Sequence, residues 1–159
     1  MQDDPRYDDV VGEVRGFLVE RAERAAEAGV QEIWVDPGIG FGKSDAHNLT
    51  LLRHLGTLAA SGFPLLVGTS RKGFLGRLAG SAGEPLPVED RLPGSLATAT
   101  WAMLAGASMV RVHDVAATVQ AASLVGTTRL DPQPPVHGDL ESSDLAHRAQ
   151  VGTAQVGTR

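Results

Sequence analysis

The order of apolar and polar residues along the chain alternates between a helical and a strand pattern. From Asp8 to Glu27, apolar residues recur at every third or fourth position between charged ones, and Gly29 follows where a helix would end. The next apolar run, Glu32–Val35, is short and continuous, which is typical of a parallel strand buried on both faces. The sequence therefore opens with a predicted amphipathic helix and a predicted buried strand.

The same alternation repeats further along the chain. We predict helices over residues 48–60, 74–79 and 93–106, strands over 63–68 and 108–113, and a last helix that ends at about Val125. Helices that alternate with short apolar strands indicate an α/β fold with a parallel sheet. Prolines and polar residues then predominate, so we predict one domain over 1–125 and a disordered tail over 126–159.

Polar residues follow each predicted strand at its carboxyl end. They are Asp36, then the segment 69–72, and then Arg111, His113 and Asp114. Because the carboxyl ends of parallel strands are where α/β folds bind ligands, we expect these residues to meet at one edge of the sheet. Arg111 and His113 are two positions apart, which places both on the same side of their strand.

The glycine-rich stretch DPGIGFGKS, residues 36–44, is similar to a nucleotide-binding phosphate loop but departs from its pattern. That motif needs a glycine five positions before Gly42, and Pro37 stands there instead. Proline has no backbone N–H to donate to a phosphate, so the stretch is not such a loop. Its three glycines instead predict backbone that turns tightly or lies against a ligand.

Composition excludes several classes of protein. The chain is 42% hydrophobic and 21% charged, as expected for a folded cytoplasmic domain, and its net charge of -5 gives no general attraction to nucleic acid or anionic membranes. It contains no cysteine, which excludes disulfides and thiolate metal sites. No apolar run approaches the ~18 residues needed to span a bilayer. We therefore expect a cytoplasmic protein with neither nucleic-acid nor membrane partners.

Taken together, the segments DPGIGFGKSDAHNLTLL, PLLVGTSRKGFLG and GASMVRVHDV resemble dihydropteroate synthase, an enzyme of folate biosynthesis. The likeness runs from about Tyr7 to about Val125. It implies an α/β fold that is part of a (β/α)₈ TIM barrel, namely the last three βα units of a pterin-binding barrel. It also implies a transferase that condenses 6-hydroxymethyl-7,8-dihydropterin pyrophosphate with p-aminobenzoate, using magnesium and releasing pyrophosphate.

The resemblance assigns substrate-binding roles to residues of the first glycine-rich segment. Asp36 is expected to accept hydrogen bonds from the pterin amino group and ring N–H; taken alone, the residue is also consistent with a cap of the loop before proline. Gly40 and Phe41 match positions that line the aminobenzoate pocket, although a phenylalanine at a strand end is often plain core. Family members often carry Ser or Arg where this chain has Gly73, so a side-chain contact to the aminobenzoate carboxylate is expected to be lost.

The later two segments supply the remaining site residues that the resemblance implies. Lys72 is expected to lie between the two ligands and bond the pterin ring, with Ser70 and Gly68 also on the substrate-binding surface. Arg111 is expected to stack on the pterin and to hold the pyrophosphate together with His113. The implied catalytic residues are thus Lys72, Arg111 and His113. They would position substrates and stabilise charge, and no covalent nucleophile is needed.

The resemblance covers only the later part of that family's barrel. Residues 1–11 are similar to the family's segment after its fifth strand, so the chain is expected to begin inside the barrel, as a truncated reading or a natural fragment. The asparagine that holds magnesium in the family lies on its first strand, which nothing here matches, so no metal ligand is assigned in this chain. The last helices make the family's dimer contact, and we expect a homodimer. An open three-stranded sheet exposes its edges and one face, so the isolated chain is expected to be marginally stable, oligomeric or prone to aggregate.

Other functions remain open at this point. A methyltetrahydrofolate-dependent methyltransferase would share the pterin-binding strand ends, and a non-catalytic pterin-binding or dimerising half-barrel, or an inert degenerate fragment, would share the fold. His47 is expected near the start of a helix. Asp45, His137 and His147 are interpreted as solvated surface residues without a role.

Overall fold

A computed structural model describes residues 5–81 and 83–128 of the chain. In chain order the elements are α1 (Val10–Glu27), α2 (Asp45–Arg53), α3 (Leu55–Ala59), β1 (Leu66–Val67), α4 (Gly73–Ala79), a 3₁₀ helix (Val88–Arg91), α5 (Leu92–Leu104), β2 (Met109–Val110) and α6 (Val115–Thr128). Helix α6 continues three residues beyond its predicted end at Val125. The rest of the predicted tail, with His137 and His147, lies outside the described residues. In the described part of the chain, no helix is both long and apolar enough to cross a membrane.

Helix α1 starts at Val10, two residues later than predicted, because Asp9 caps it. The Asp9 carboxylate accepts the backbone N–H groups of Val11 and Gly12 at 3.2 and 3.0 Å. The Glu13 carboxylate in turn accepts the N–H groups of Asp8 and Asp9 at 2.9 and 3.0 Å. These reciprocal bonds satisfy donors that a helix start otherwise leaves unpaired, and they fix the boundary.

The helix predicted over residues 48–60 is divided into two helices, α2 and α3, and the first begins earlier than predicted, at Asp45. Ser44 caps α2, where its hydroxyl accepts the His47 N–H at 3.1 Å and the His47 ring accepts the Ser44 N–H at 3.3 Å. His47 therefore lies in the first turn, as the sequence indicates. The helical path breaks at His54, whose backbone leaves the α region (φ −109°, ψ 24°) between α2 and α3.

The sheet is parallel, and its strands are shorter than predicted. Strand β1 pairs with β2, and on its other side the strand predicted over Glu32–Val35 is reduced to a single bridge between Val35 and Leu65. Its two hydrogen bonds run from the Val35 N–H to the Pro64 carbonyl and from the Leu66 N–H to the Val35 carbonyl. The next bonds on either side would need N–H groups from Pro64 and Pro37, which proline lacks, so the ladder stops there.

The hydrophobic core lies between this short sheet and the helices. Leu51, Leu55 and Leu58 of α2 and α3 are at most 1% exposed, as are Leu65, Val67 and Phe74, and each contributes about 1.5–3 kcal/mol by leaving water. Ile39 is also 1% exposed, although it sits in the middle of the glycine-rich segment. It thereby anchors the loop after Val35 in the core and holds its glycines at the carboxyl edge of the sheet.

Candidate functional site

A cavity of about 260 Å³ opens at the carboxyl edge of the sheet. All three strand ends contribute to its lining, which consists of Phe41, Gly68, Ser70, Lys72, Arg111, Val112 and His113. Six of these seven are residues that the sequence singles out as candidates. The parallel register of Val35, β1 and β2 brings them together from positions that are up to 72 residues apart in the chain.

Asp36 borders this cavity without lining it. Its Oδ1 accepts the Gly38 N–H at 2.8 Å, which is the loop-capping contact that the sequence left open, and its Oδ2 accepts from Arg111 Nη2 at 3.1 Å. It lines a second cavity of about 430 Å³, toward α1, together with Tyr7, Phe17 and Lys43 among others. Asp36 is therefore positioned between two spaces, with each carboxylate oxygen already accepting one hydrogen bond.

Lys72 lies across the aromatic ring of Phe41. Its Nζ is 3.3 Å from the ring centroid, a cation–π contact, so this ring face is covered by the ammonium. Burial lowers the pKa of Lys72, nearby Arg111 lowers it further, and Asp36 acts in the opposite direction. The ammonium is thus held beside another cation in a partly desolvated place, an arrangement that favours an anionic or electron-rich ligand.

Position 40 requires glycine for two reasons, the conformation of its backbone and the close approach of the Lys72 side chain. Its φ is +81°, and a Cβ built there would lie 3.0 Å from Lys72 Cδ. The Gly40 N–H donates to Oδ1 of Asn48 at 2.7 Å, and Asn48 is only 1% exposed. Sequence reasoning missed Asn48, whose interior position in α2 gives no signal of a contact to the loop. Its Nδ2 has no hydrogen-bond partner among the described residues.

Arg111 lies over the backbone of Gly68. A Cβ added at Gly68 would come within 2.9 Å of Arg111 Nη2, so the glycine provides the space that the guanidinium occupies. The Arg111 N–H continues the sheet ladder by donating to the Val67 carbonyl at 2.9 Å. The backbone of Arg111 is thus held in the sheet, and its side chain crosses β1 to reach Asp36.

Ser70 holds His113 in place. Its hydroxyl is within 3.0 Å of the His113 ring Nδ1 and accepts the His113 backbone N–H at 3.1 Å, and Ser70 is 4% exposed. The direction of the bond with Nδ1 depends on the ring tautomer; when the hydroxyl donates to Nδ1, the ring proton is on Nε2. The sequence predicted both residues as candidates but gave no sign of this contact.

The sequence placed Arg71 and Asp114 at this edge of the sheet but predicted neither their contact nor any role for Lys43. Lys43 Nζ donates to the carbonyls of Gly38 and Phe41, both at 3.4 Å, and closes the glycine-rich loop; burial lowers its pKa against the opposing charge of Asp36. Arg71 has a positive φ of 58° and donates two hydrogen bonds to Asp114, at 3.1 and 2.6 Å. The Arg71–Asp114 contact joins residues 43 positions apart, which no local pattern indicates.

Asp45, interpreted from sequence as a solvated surface residue without a role, forms a surface ion pair that the sequence did not indicate. Its carboxylate accepts two hydrogen bonds from Arg77, at 2.9 and 2.6 Å. The hydrogen bond from Arg77 is the main reason that the pKa of Asp45 is lowered. The pair links the start of α2 to α4 and lies outside the residues that line the cavity.

Comparison with protein families identifies the class of this chain. Residues 1–113 match the model of the family described as "Pterin binding enzyme". The match includes Asp36, Lys72, Arg111 and His113 and covers well over half of the chain. The chain therefore belongs to the pterin binding enzyme family.

Individual relatives carry a more specific name. A dihydropteroate synthase of Neisseria meningitidis serogroup C is 48% identical over 124 residues, which are 76% of this chain and 42% of the relative. The solved dihydropteroate synthase of Thermus thermophilus in complex with 6HMPPP superposes with a TM-score of 0.73 at 43% identity, covering 80% of this chain and 50% of that one. That of Xanthomonas albilineans with 7,8-dihydropteroate gives 0.74 at 46% identity, with 80% and 48% covered.

This chain thus spans about half the length of the relatives it matches. The predicted fold class, an α/β part of a pterin-binding (β/α)₈ barrel, is confirmed by these similarities. The resemblance to dihydropteroate synthase is confirmed with it.

The two neighbouring glycines Gly40 and Gly42 provide a matched pair of substitutions. Gly40→Ala and Gly42→Ala both place a side chain at positive φ, +81° and +54°, and each should lower the free energy of unfolding by about 1 kcal/mol. Only the methyl at 40 meets Lys72, since no described atom lies within 4 Å of a Cβ at 42. We expect Gly40→Ala to cost a further ~0.5–1 kcal/mol as Lys72 leaves the Phe41 ring. Urea unfolding followed by circular dichroism measures both, and equal losses would contradict this geometry.

Proposed function

We propose that the chain provides the substrate-binding edge of a dihydropteroate synthase, which condenses 6-hydroxymethyl-7,8-dihydropterin pyrophosphate with p-aminobenzoate. The observation that carries the proposal is the cavity in which Lys72, Arg111 and His113 meet beside the ring of Phe41. Cationic donors suit a pyrophosphate, and an aromatic wall suits flat rings. Related enzymes have been solved with 6HMPPP, with 4-aminobenzoate and with 7,8-dihydropteroate.

Arg111 and His113 are proposed to bind the pyrophosphate. The guanidinium presents several donors, and the His113 ring, held at Nδ1 by Ser70, has Nε2 available to donate. Both groups would act on the negative charge that develops on the departing pyrophosphate. A donor fixed in advance, as the His113 ring is by Ser70, stabilises the transition state more than the ground state.

Asp36 and Lys72 are proposed to bind the pterin. Each oxygen of the Asp36 carboxylate has a second lone pair beyond its bonds to Gly38 and Arg111, so it can accept from the pterin amino group and ring N–H. Arg111 is also free to exchange Asp36 for the pyrophosphate, because its side chain is 60% exposed. Substrate binding would then replace the Asp36–Arg111 ion pair with contacts of both residues to one ligand.

The aminobenzoate is proposed to bind near Phe41 and the start of α4. One face of the Phe41 ring is covered by Lys72, so the ligand ring packs on the remaining exposed part of a side chain that is 49% exposed. Helix α4 begins at Gly73, directly after Lys72, where the chain offers backbone N–H groups and no side chain to a carboxylate.

In the proposed reaction, the bond between the pterin methylene carbon and the pyrophosphate oxygen breaks, and the aminobenzoate nitrogen forms the new bond to that carbon. The pyrophosphate leaves with the electron pair, and the amine loses a proton. Lys72, Arg111 and His113 act by position and charge, without a covalent intermediate on the protein.

Magnesium stays a cofactor that the family resemblance implies. The described residues contain no group of three or more His, Asp or Glu side chains that could hold a metal ion. We therefore assign no magnesium ligand in the described part of the chain and derive no step through the metal. A cytoplasmic location also stays a prediction.

Binding of dihydropterin pyrophosphate, measured by equilibrium dialysis, tests the proposal. Arg111→Met should weaken binding about 10- to 100-fold, because it removes hydrogen bonds between charged groups. The control Arg24→Met removes an arginine whose Glu20 ion pair is exposed, and it should change nothing. Equal affinity of the Arg111→Met variant and the unaltered chain would contradict the proposed site.

Turnover separates the proposed enzyme from a binding module. With p-aminobenzoate and Mg²⁺ added, product that disappears in Lys72→Ala would show that this chain assembles a working site. Pterin binding without product would favour the non-catalytic half-barrel.

The lowered pKa of Lys72 predicts how binding depends on pH. Burial makes the ammonium lose its proton at a lower pH than an ordinary lysine, so its charge is lost as pH rises through that pKa. Affinity for dihydropterin pyrophosphate should therefore fall with rising pH in that range. Lys72→Arg keeps its charge throughout and should retain affinity at higher pH. Identical pH profiles for the two proteins would refute this role of Lys72.

We also propose that the chain forms homodimers through α5 and α6, which pack on each other. Leu104, Val115 and Val119 are 61, 60 and 58% exposed, an amount of apolar surface typical of an interface.

Leu104→Glu should shift the chain toward monomer in sedimentation velocity. Phe17→Glu, on α1 and 56% exposed, is the control and should leave the dimer intact. A monomeric unaltered chain would contradict the proposed dimer.

A further inference from the structure

We propose that Arg71 is a positioning residue, whose ion pair with Asp114 fixes the turn after β1 so that Ser70 and Lys72 face Arg111 and His113. The identity of the ligand in this inference rests on the proposed function. The effect of Arg71 on the position of Lys72 does not, and it can be tested in the protein without ligand.

The backbone of Arg71 adopts a conformation that a side chain disfavours. Its φ of 58° is the one positive value among the non-glycine residues that the structure describes. Left-handed backbone of this kind persists when surrounding contacts hold it, and it is found preferentially at functional sites. Here it separates Ser70, which is 4% exposed, from Lys72, which caps α4 in an extended conformation.

The backbone and the side chain of Arg71 both form hydrogen bonds in this turn. Its N–H donates to the Ser95 hydroxyl at 2.9 Å, and its carbonyl accepts from Arg91 Nη1 at 3.1 Å. Its guanidinium donates from Nε and Nη2 to the two oxygens of Asp114. Ser95 belongs to α5, Arg91 belongs to the 3₁₀ helix, and Asp114 lies in the loop after β2.

Arg71 and Ser70 form two adjacent links between the loops after β1 and β2. Ser70 bonds the ring of His113, and Arg71 bonds the next residue, Asp114. Sheet pairing between β1 and β2 covers only two residues per strand. Beyond these residues, the contacts of Ser70 and Arg71 hold the two loops together beside the cavity. Arg71 also balances the negative charge of Asp114, the residue directly after His113.

A second ion pair in this chain provides a matched comparison. Arg77 and Asp45 make the same two-bond contact, with a shortest distance of 2.6 Å in both pairs. Arg71 and Asp114 directly adjoin residues that line the cavity, whereas neither Arg77 nor Asp45 is next to one in the chain. If Arg71 only stabilised the fold, removal of either carboxylate would have similar effects on the protein. If Arg71 positions the site, only Asp114 should affect the cavity.

The position of Lys72 can be measured without a ligand by NMR. Its Nζ lies 3.3 Å from the Phe41 ring centroid, so the ring current should shift the adjacent methylene protons upfield. We expect Asp114→Asn to lose most of this shift and Asp45→Asn to keep it. Arg71→Gly, which tolerates the positive φ, should melt no earlier than the unaltered chain and still lose the shift. An unchanged shift in Asp114→Asn and Arg71→Gly would overturn the proposal.

Binding of 6-hydroxymethylpterin, followed by its fluorescence anisotropy, completes the test. This ligand is uncharged at neutral pH, so its affinity reports geometry rather than the altered net charge of the variants. Asp114→Asn should weaken binding about tenfold, as expected for coupled neighbours, while Asp45→Asn should not. Equal weakening by both would overturn the positioning role. A chain that shows the NMR effect but binds no pterin would retain the positioning role and refute the proposed function.

Discussion

The pairing of three parallel strand ends is the constraint on which the site depends. Val35 contacts β1 through a single bridge, and β1 contacts β2 through two paired residues each. Without this register, the residues after each strand would have no common edge at which to meet. The core beneath it, formed by leucines of α2 and α3 with Val67 and Phe74, holds the strands against the helices. Site geometry is thus set by a small number of backbone hydrogen bonds over a well-packed core.

Side chains extend this pairing beyond the backbone. Ser70 links to His113, Arg71 links to Asp114, and Arg111 crosses β1 to reach Asp36 over the bare backbone of Gly68. The last contact connects the two outer strand ends. Polar contacts between neighbouring loops therefore border the cavity. Each contact includes or adjoins a residue proposed to bind substrate.

Much of the fold could be predicted from sequence because its signals are local. Apolar spacing and Gly29 revealed α1, and short apolar runs with polar ends placed Asp36, Lys72, Arg111 and His113 at one edge. Strand lengths were overestimated because apolar character predicts burial, whereas pairing requires N–H groups that Pro37 and Pro64 lack.

The contacts around the cavity could not be predicted in the same way. The Arg77–Asp45 and Arg71–Asp114 pairs span 32 and 43 residues, and the positive φ of Arg71 has no sequence signature of the kind that glycine provides. Likewise, the position of Asp36 between two cavities depends on which way the loop turns after Pro37. Such features follow from tertiary packing, and they appear only when the strand ends are assembled.

Hydrogen–deuterium exchange with and without dihydropterin pyrophosphate tests most directly whether the three strand ends form one substrate site. Bound ligand should slow amide exchange in residues 36–43, 68–73 and 111–114 together and should leave exchange in α5 unchanged. Protection confined to one of these segments, or found only outside them, would contradict a single substrate site.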